Sequence, residues 1–424
     1  MISKTGIRFQ LSSFSQALLT VCEYVWAVLV VLNGNSVYHA SAEKEYWLLE
    51  LCAIMTWVLL MVEMMVRKHR IKQHWAIGAV VMAVYFVIYL SVRQSDMAVL
   101  DFTFLFIVGL PGLVLLFGLL HEEDALTALL RKLFDVVVAL AVVSLYYWIF
   151  GVMLEIIRPN SYILISWGST HYAMGYDGLH FVTQLDTTFF PDEYIYRNSG
   201  IFAEAPMFNL WLDMALAGEL FLTTRTSKLR VTVLTVTILT TMSTTGILFL
   251  GLCLVIHILR NFRSMDRTGR LLVLLGGSIL LPALGVVSIY TMTLKSDTQS
   301  YMMRLSDYVA GVKLWWDYPV LGAGFANLQT LMKYVYSPEG IMGFSNSLTA
   351  VLGTGGLWMT LPYYVTMFGM LSARVTGDRG KRAFGWCYLF LFCTTAFFAR
   401  YIAVVMIAFE ATIMFGNHKT DPDL

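Results

Sequence analysis

Stretches of about twenty apolar residues recur along this 424-residue chain, separated by short polar turns. They fall at about 17–33, 47–66, 75–92, 97–120, 133–157, 206–223, 271–294 and 347–371. A helix rises about 1.5 Å per residue, so about 20 such residues cross the roughly 30 Å hydrocarbon core of a bilayer. A soluble chain covers its surface with charge, typically about a quarter of its residues. Here 13% are charged and 58% are apolar. The sequence therefore predicts an all-α polytopic membrane protein, a single integral membrane domain over residues 1–424.

Two longer stretches need dividing. Residues 231–259 are interrupted by Ser243-Thr244-Thr245-Gly246, and 383–416 by Arg400. The excess of Lys and Arg on cytoplasmic loops decides between one span and two. Basic residues cluster at 67–70, 225–230, 260–270 and 374–382. All four clusters share a face only if each long stretch is a helix pair. About twelve spans result, with both termini cytoplasmic. Of the 29 Lys and Arg, 20 are then inside and nine outside. The halves of 231–259 are short for full spans, which suits tilted or re-entrant helices packed in protein.

Two long loops then face outward, 158–205 and 295–346, and short amphipathic helices are expected in them. Long ordered loops are where function concentrates. The first holds ten aromatics, among them Trp167, Tyr172, Phe189, Phe190 and Tyr194, together with His171, His180, Asp177, Asp192 and Glu193. Ring faces beside carboxylates suit sugars, and they suit equally a loop with its own small core. In the second loop, Tyr301 to Tyr318 sets Leu305, Val309, Val312 and Trp316 against Arg304, Asp307, Lys313 and Asp317. That pattern predicts an amphipathic helix lying at the interface, anchored by Trp.

Several chemistries are disfavoured. Net charge is +1, which excludes binding nucleic acid by bulk charge. The five cysteines sit in apolar runs with no CxxC pair, and the eight histidines show no ligand spacing, so no metal site and no cofactor are expected. Glu23 and Glu410 lie deepest in the apolar runs. Ionisable groups there are costly, and they are the main ground for a transporter.

Four segments carry more. Arg197-Asn198-Ser199-Gly200-Ile201-Phe202-Ala203-Glu204-Ala205-Pro206 precedes a span, with Pro206 suited to a first helical turn. Ser243-Thr244-Thr245-Gly246 breaks the short-helix pair. Arg304 is followed by Trp315-Trp316-Asp317-Tyr318-Pro319-Val320-Leu321-Gly322-Ala323-Gly324. Ser345-Asn346-Ser347 leads into Gly353-Thr354-Gly355-Gly356-Leu357-Trp358. Taken alone, the glycines of the last two segments read as packing more readily than as phosphate binding.

In order and topology these segments resemble the O-antigen polymerase and O-antigen ligase family, over about residues 200–360. The resemblance implies a GT-C-like, metal-independent glycosyltransferase in a bacterial cytoplasmic membrane, its active site facing outside. It implies polyprenyl-diphosphate-linked glycans as donor and acceptor, membrane lipids as surroundings, and a flippase and a chain-length regulator as partners. It maps the family's functional arginines onto Arg197 and Arg304. The ligases commonly carry His-Asn where this chain has Ser345-Asn346, which favours a polymerase. On this reading Arg197 and Arg304 stabilise the leaving diphosphate, since arginine stays charged and binds phosphate bidentately. Glu204 is the general base for the acceptor hydroxyl. Asn198, Ser345, Asn346, Trp315 and Tyr318 contact substrate. A ligase to another acceptor and a polysaccharide or lipid-linked-sugar transporter are the alternatives.

Overall fold

The computed structural model describes residues 4–43, 46–93, 97–122, 125–186, 195–262, 267–268, 270, 299–335 and 344–416. The expected span at 271–294 lies outside them, as do Phe189, Phe190, Asp192, Glu193 and Tyr194 of the first loop. The described residues are mostly helical. Among the described residues, five helices are long and apolar enough to cross a membrane: Phe14–Asn33, Leu48–Arg67, Gln73–Val92, Val99–Glu122 and Leu126–Met153.

Among the described residues these five are the helices of full spanning length, and the count of about twelve is not confirmed. Thr244–Arg260 and Tyr401–Gly416 are apolar but shorter, and Ala205–Phe221 has 17 residues. At about 1.5 Å per residue such helices fall several ångströms short of the hydrocarbon core. The 25-residue helix Ser347–Leu371 is broken at Gly356, whose φ of 61° and ψ of −168° are not helical.

Both long stretches do divide. The first gives Lys228–Thr240 and Thr244–Asn261, the second Arg379–Thr394 and Tyr401–Gly416. Their basic ends gather at one end of the bundle. Arg230 pairs with Asp135 and, at 2.8 Å, with Glu219. Phe221 O packs under Gly380, and Arg260 shares a cavity with Arg379 and Arg382. Nearby, Lys132 holds Glu23 in an ion pair.

Val99–Glu122 is the most enclosed of the five, with 72% of its apolar window buried. Its packing needs small residues: Trp57 lies over Gly112 and Trp75 over Gly118, where a Cβ would come within 2.9 and 2.6 Å. Pro111 has no N–H to give, and the helix opens into π geometry over Thr103–Gly109 just before it. A buried chain of bonds ties three helices together. Trp26 Nε1 donates to Thr56 Oγ1 at 3.0 Å, and Thr56 Oγ1 meets Tyr401 OH at 2.6 Å.

The 158–205 loop corrects one expectation. It forms antiparallel strands, not short amphipathic helices: β1 Ser161–Trp167, β2 Ser169–Tyr176 and β3 His180–Val182 in one sheet, β4 Leu185–Asp186 and β5 Ile195–Tyr196 in another. Asp177 and Gly178 both have positive φ and turn β2 into β3, as a hairpin of this twist requires. Alternate residues Ile163 and Ile165 face a small core with Val37, Ala40, Ala173, Phe181 and Ala203. The segment after the first helix joins this edge, with Ser166 N donating to Ala40 O at 2.8 Å.

The second loop does contain the expected helix, Gln299–Asp317. It lies close on Ser347–Leu371, where Gly311 faces Thr349 and Gly353 faces Gly311 O. The Pro319–Gly324 segment then docks by its backbone into the helix break at Gly356. Leu357 N donates to Pro319 O and Trp358 N to Val320 O, both at 2.9 Å, and Gly324 N donates to Thr354 O at 2.9 Å. These glycines serve close backbone approach.

Candidate substrate site at the sheet-bearing end of the bundle

Arg197 is aimed by its neighbour. The buried Asn198 amide donates to Thr240 Oγ1 at 3.0 Å and Ser144 Oγ at 3.3 Å, while its Oδ1 accepts from Gly200 N at 3.2 Å. Gly200 has φ of 55° and lies against the Phe208 ring. With the backbone so fixed, Arg197 Nε donates at 2.7 Å to the carbonyl of Thr241. That carbonyl is available because the Lys228–Thr240 helix ends there, as the last carbonyls of any helix are.

Arg304 arrives from the 295–346 loop and reaches the same turn, its Nη1 lying 3.4 Å from Thr245 Oγ1. Thus Thr241 to Thr245, the polar break between the two short helices, is touched by both arginines. Gly246 seats this turn tightly, since a Cβ there would fall 2.2 Å from Asn209 Oδ1.

Glu204 caps the backbone of the Ala205–Phe221 helix and lies within electrostatic reach of both arginines. Burial pushes its carboxyl above the ordinary range, while the Trp167 indole bond and the charges of Arg197 and Arg304 pull it down. A carboxylate raised in this way is a stronger base than an exposed one.

Glu204 also lines a cavity of about 670 Å³ with Trp167, His171, Thr183, Gln184 and Arg400. That volume lies in the usual range for small-molecule sites. One wall is the sheet, the other the turn between Arg379–Thr394 and Tyr401–Gly416. Arg400 donates to His39 Nε2. Its charge and burial take His39 down to about 2, so the imidazole stays neutral and accepts. Burial lowers Arg400 itself to about 10, which leaves it cationic at neutral pH.

Ser345 and Asn346 hold the site together from behind. Ser345 N and Oγ both donate to Asp307 Oδ2, at 2.9 and 2.6 Å. Asp307 is one helical turn from Arg304. Asn346 is buried and caps its helix, its Oδ1 accepting from Thr349 N at 2.9 Å. Ser347 Oγ donates to Thr395 O at 2.7 Å and accepts from Phe397 N at 2.8 Å. Ser345-Asn346-Ser347 thereby ties the Arg304 helix to the turn that carries Arg400. Trp315 and Tyr318 are not gathered here. They stand at the far end of the Gln299–Asp317 helix, Trp315 Nε1 donating to Pro319 O at 3.1 Å and the Tyr318 ring lying under Arg93. His180 is a buried core residue, held neutral by burial at about 3.

Asp307, Arg400, Trp167 and Gln184 are the site residues the sequence reading did not single out. Arg400 had a signal: a lone arginine inside a long apolar stretch is costly unless it reaches a polar cavity. Asp307 had one too, one turn from Arg304 on the same helix. Among the described residues, no group of three or more His, Cys, Asp or Glu side chains comes together as a metal-ligand set.

Asp307 gives a pH-dependent test. Burial raises its carboxyl from 3.8 to about 6, against the pull of the Ser345 bonds and Arg304. The folded state then holds the proton more tightly than the unfolded chain. The associated stability is full below about pH 4 and is lost as pH rises through about 6, a difference of about 3 kcal/mol by linkage. Asp307→Asn keeps an acceptor for Ser345 and has no charge to bury. Its melting temperature in detergent should exceed that of the unaltered protein at neutral pH and converge with it near pH 4. A variant less stable at neutral pH would refute this assignment.

No protein-family model matches the sequence, and no curated protein matches it.

Proposed function

We propose that this chain is a membrane glycosyltransferase that polymerises polyprenyl-diphosphate-linked oligosaccharides on the outer face of a bacterial cytoplasmic membrane. One observation carries the reading: Arg197 and Arg304, distant in sequence, converge on the Thr241–Thr245 turn within electrostatic reach of Glu204. The acceptor hydroxyl attacks C1 of the donor sugar. The C1–O bond to the diphosphate breaks, the bonding pair leaves with the diphosphate, and the hydroxyl proton passes to Glu204. The two guanidinium groups meet the charge that grows on the leaving oxygen, where preorganised donors act most strongly. Attack from the opposite face inverts C1. The cavity beside Glu204 receives the acceptor sugars, with Trp167 and Gln184 as ring and hydroxyl contacts. The similarity of the four motifs to O-antigen polymerases supports the same reading, and Ser345 in place of histidine favours polymerase over ligase.

The ground for a transporter weakens, because Glu23 is ion-paired with Lys132 and Glu410 accepts a bond from Thr366.

The direct test is purified full-length protein in liposomes with a polyprenyl-diphosphate oligosaccharide. A ladder of longer lipid-linked glycans supports a polymerase, and no new glycosidic bond from a folded sample overturns it. Glu204→Gln should bind the lipid donor as the unaltered protein does and turn over at least a hundredfold more slowly. Unchanged turnover would remove Glu204 as the base.

A further inference from the structure

We propose that a wedge at the basic end of the bundle, opposite the cavity beside Glu204, binds an anionic phospholipid through Arg260, Arg379 and Arg382. The wedge lies between the Thr244–Asn261 and Arg379–Thr394 helices. Deeper in the bundle these two pack closely, with the Phe249 and Phe390 rings 5.9 Å apart and the Cys253 and Cys387 sulfurs 3.9 Å apart. Toward the basic end they part and leave a cavity of about 360 Å³. Three guanidinium groups line it, and among the described residues no carboxylate does. Asp378, the acid nearest in sequence, commits Oδ1 to the N–H groups of Gly380 and Lys381 at 2.6 and 3.2 Å as its helix cap. Arg382 is braced by a bond from Nη1 to Thr376 O at 2.7 Å, which uses one of its five donors.

The rest of the lining is apolar. Ile256, Leu259, Ala383 and Trp386 form it, and Leu259 is 68% and Trp386 52% exposed. A free phosphate has no use for such a wall. A phospholipid fits both parts, with the phosphodiester among the guanidinium groups and the acyl chains along the Leu259 and Trp386 side. Trp at this height is also where amphipathic rings settle at a membrane boundary. The site depends on the membrane reading and not on the transferase reading, and its test uses no activity.

Full-length protein in detergent is titrated with dioleoyl-phosphatidylglycerol or dioleoyl-phosphatidylcholine, and bound lipid is counted by native mass spectrometry. The unaltered protein should prefer phosphatidylglycerol. Arg260→Gln and Arg379→Gln, both at exposed side chains, should each weaken that preference about fivefold, and the triple change with Arg382→Gln about a hundredfold. The control Arg70→Gln, Arg225→Gln and Lys228→Gln removes three charges outside the wedge and should keep the preference. Inorganic phosphate should fail to displace the lipid. Equal binding of the two lipids overturns the proposal. So does a control that loses as much as the wedge variant, and so does displacement by inorganic phosphate.

Discussion

Arg304→Ala should abolish glycan extension while leaving the protein folded in the membrane. The side chain is exposed, and its bond to Thr245 Oγ1 is long at 3.4 Å. Little of the fold depends on it. Its proposed task is to meet charge that develops only as the diphosphate departs, and loss of one such preorganised donor costs about a hundredfold to a thousandfold in rate. Arg197→Ala should lose activity on the same scale with a small stability cost. Its Nε also satisfies the Thr241 carbonyl at 2.7 Å, and a hydrogen bond of this kind contributes about 1 kcal/mol. The readout is polymer length on gels from membranes with equal amounts of protein. Full-length polymer from either variant would end the case for these arginines.

Gly356→Ala should unfold the Ser347–Leu371 helix around its break and the segment docked into it. Two causes add. The φ of 61° with ψ of −168° is a conformation only glycine adopts readily, at a cost to other residues of about 1–3 kcal/mol. A Cβ would also fall 2.3 Å from Gly322 N and 2.5 Å from Val320 O. These are backbone atoms, held by the bonds of Leu357 and Trp358, and forced overpacking costs about 1–3 kcal/mol more. Together these are large against the stability of a typical domain. The melting temperature in detergent should fall by many degrees, with aggregation on size exclusion. A variant that kept its melting temperature and lost only donor binding would instead mark this as a phosphate-binding loop.

Much of the architecture was legible because it follows from spacing. Twenty apolar residues make a helix that wants a bilayer, and a polar break with basic residues at both ends makes a pair. The Ser243-to-Gly246 break and the amphipathic helix before Tyr318 could be read in this way. The strands of the first loop were less visible, although Ser161-Tyr162-Ile163-Leu164-Ile165 and the Asp177-Gly178 turn were there to see. Aromatic density left sugar binding and a small core of the loop's own equally open, and alternate Ile163 and Ile165 build such a core. The expected spans beyond the five long apolar helices are harder to read. Hydropathy does not register where a helix stops, and Gly356 breaks a long apolar run without changing its composition.

At the candidate site, the resemblance implied roles for Arg197 and Arg304, and the scarcity of charge in the two long loops left few competitors to them and to Glu204. The convergence of the two arginines on one turn depends on Asn198, Gly246 and the Asp307–Ser345 bonds. These are tertiary contacts that no spacing encodes. Asn346 illustrates the limit from the other side. A polar residue at the mouth of a helix reads as a ligand, and here its Oδ1 is spent on the helix cap.

The central claim is that Arg197 and Arg304 form one diphosphate site. The most direct measurement is the affinity of the unaltered protein, Arg197→Ala, Arg304→Ala and the double variant for a polyprenyl diphosphate. Groups that share one ligand couple, by about 0.5–3 kcal/mol. The double variant should therefore bind more tightly than the two single losses added together would give. Strictly additive losses, or single variants that bind as the unaltered protein does, would contradict it.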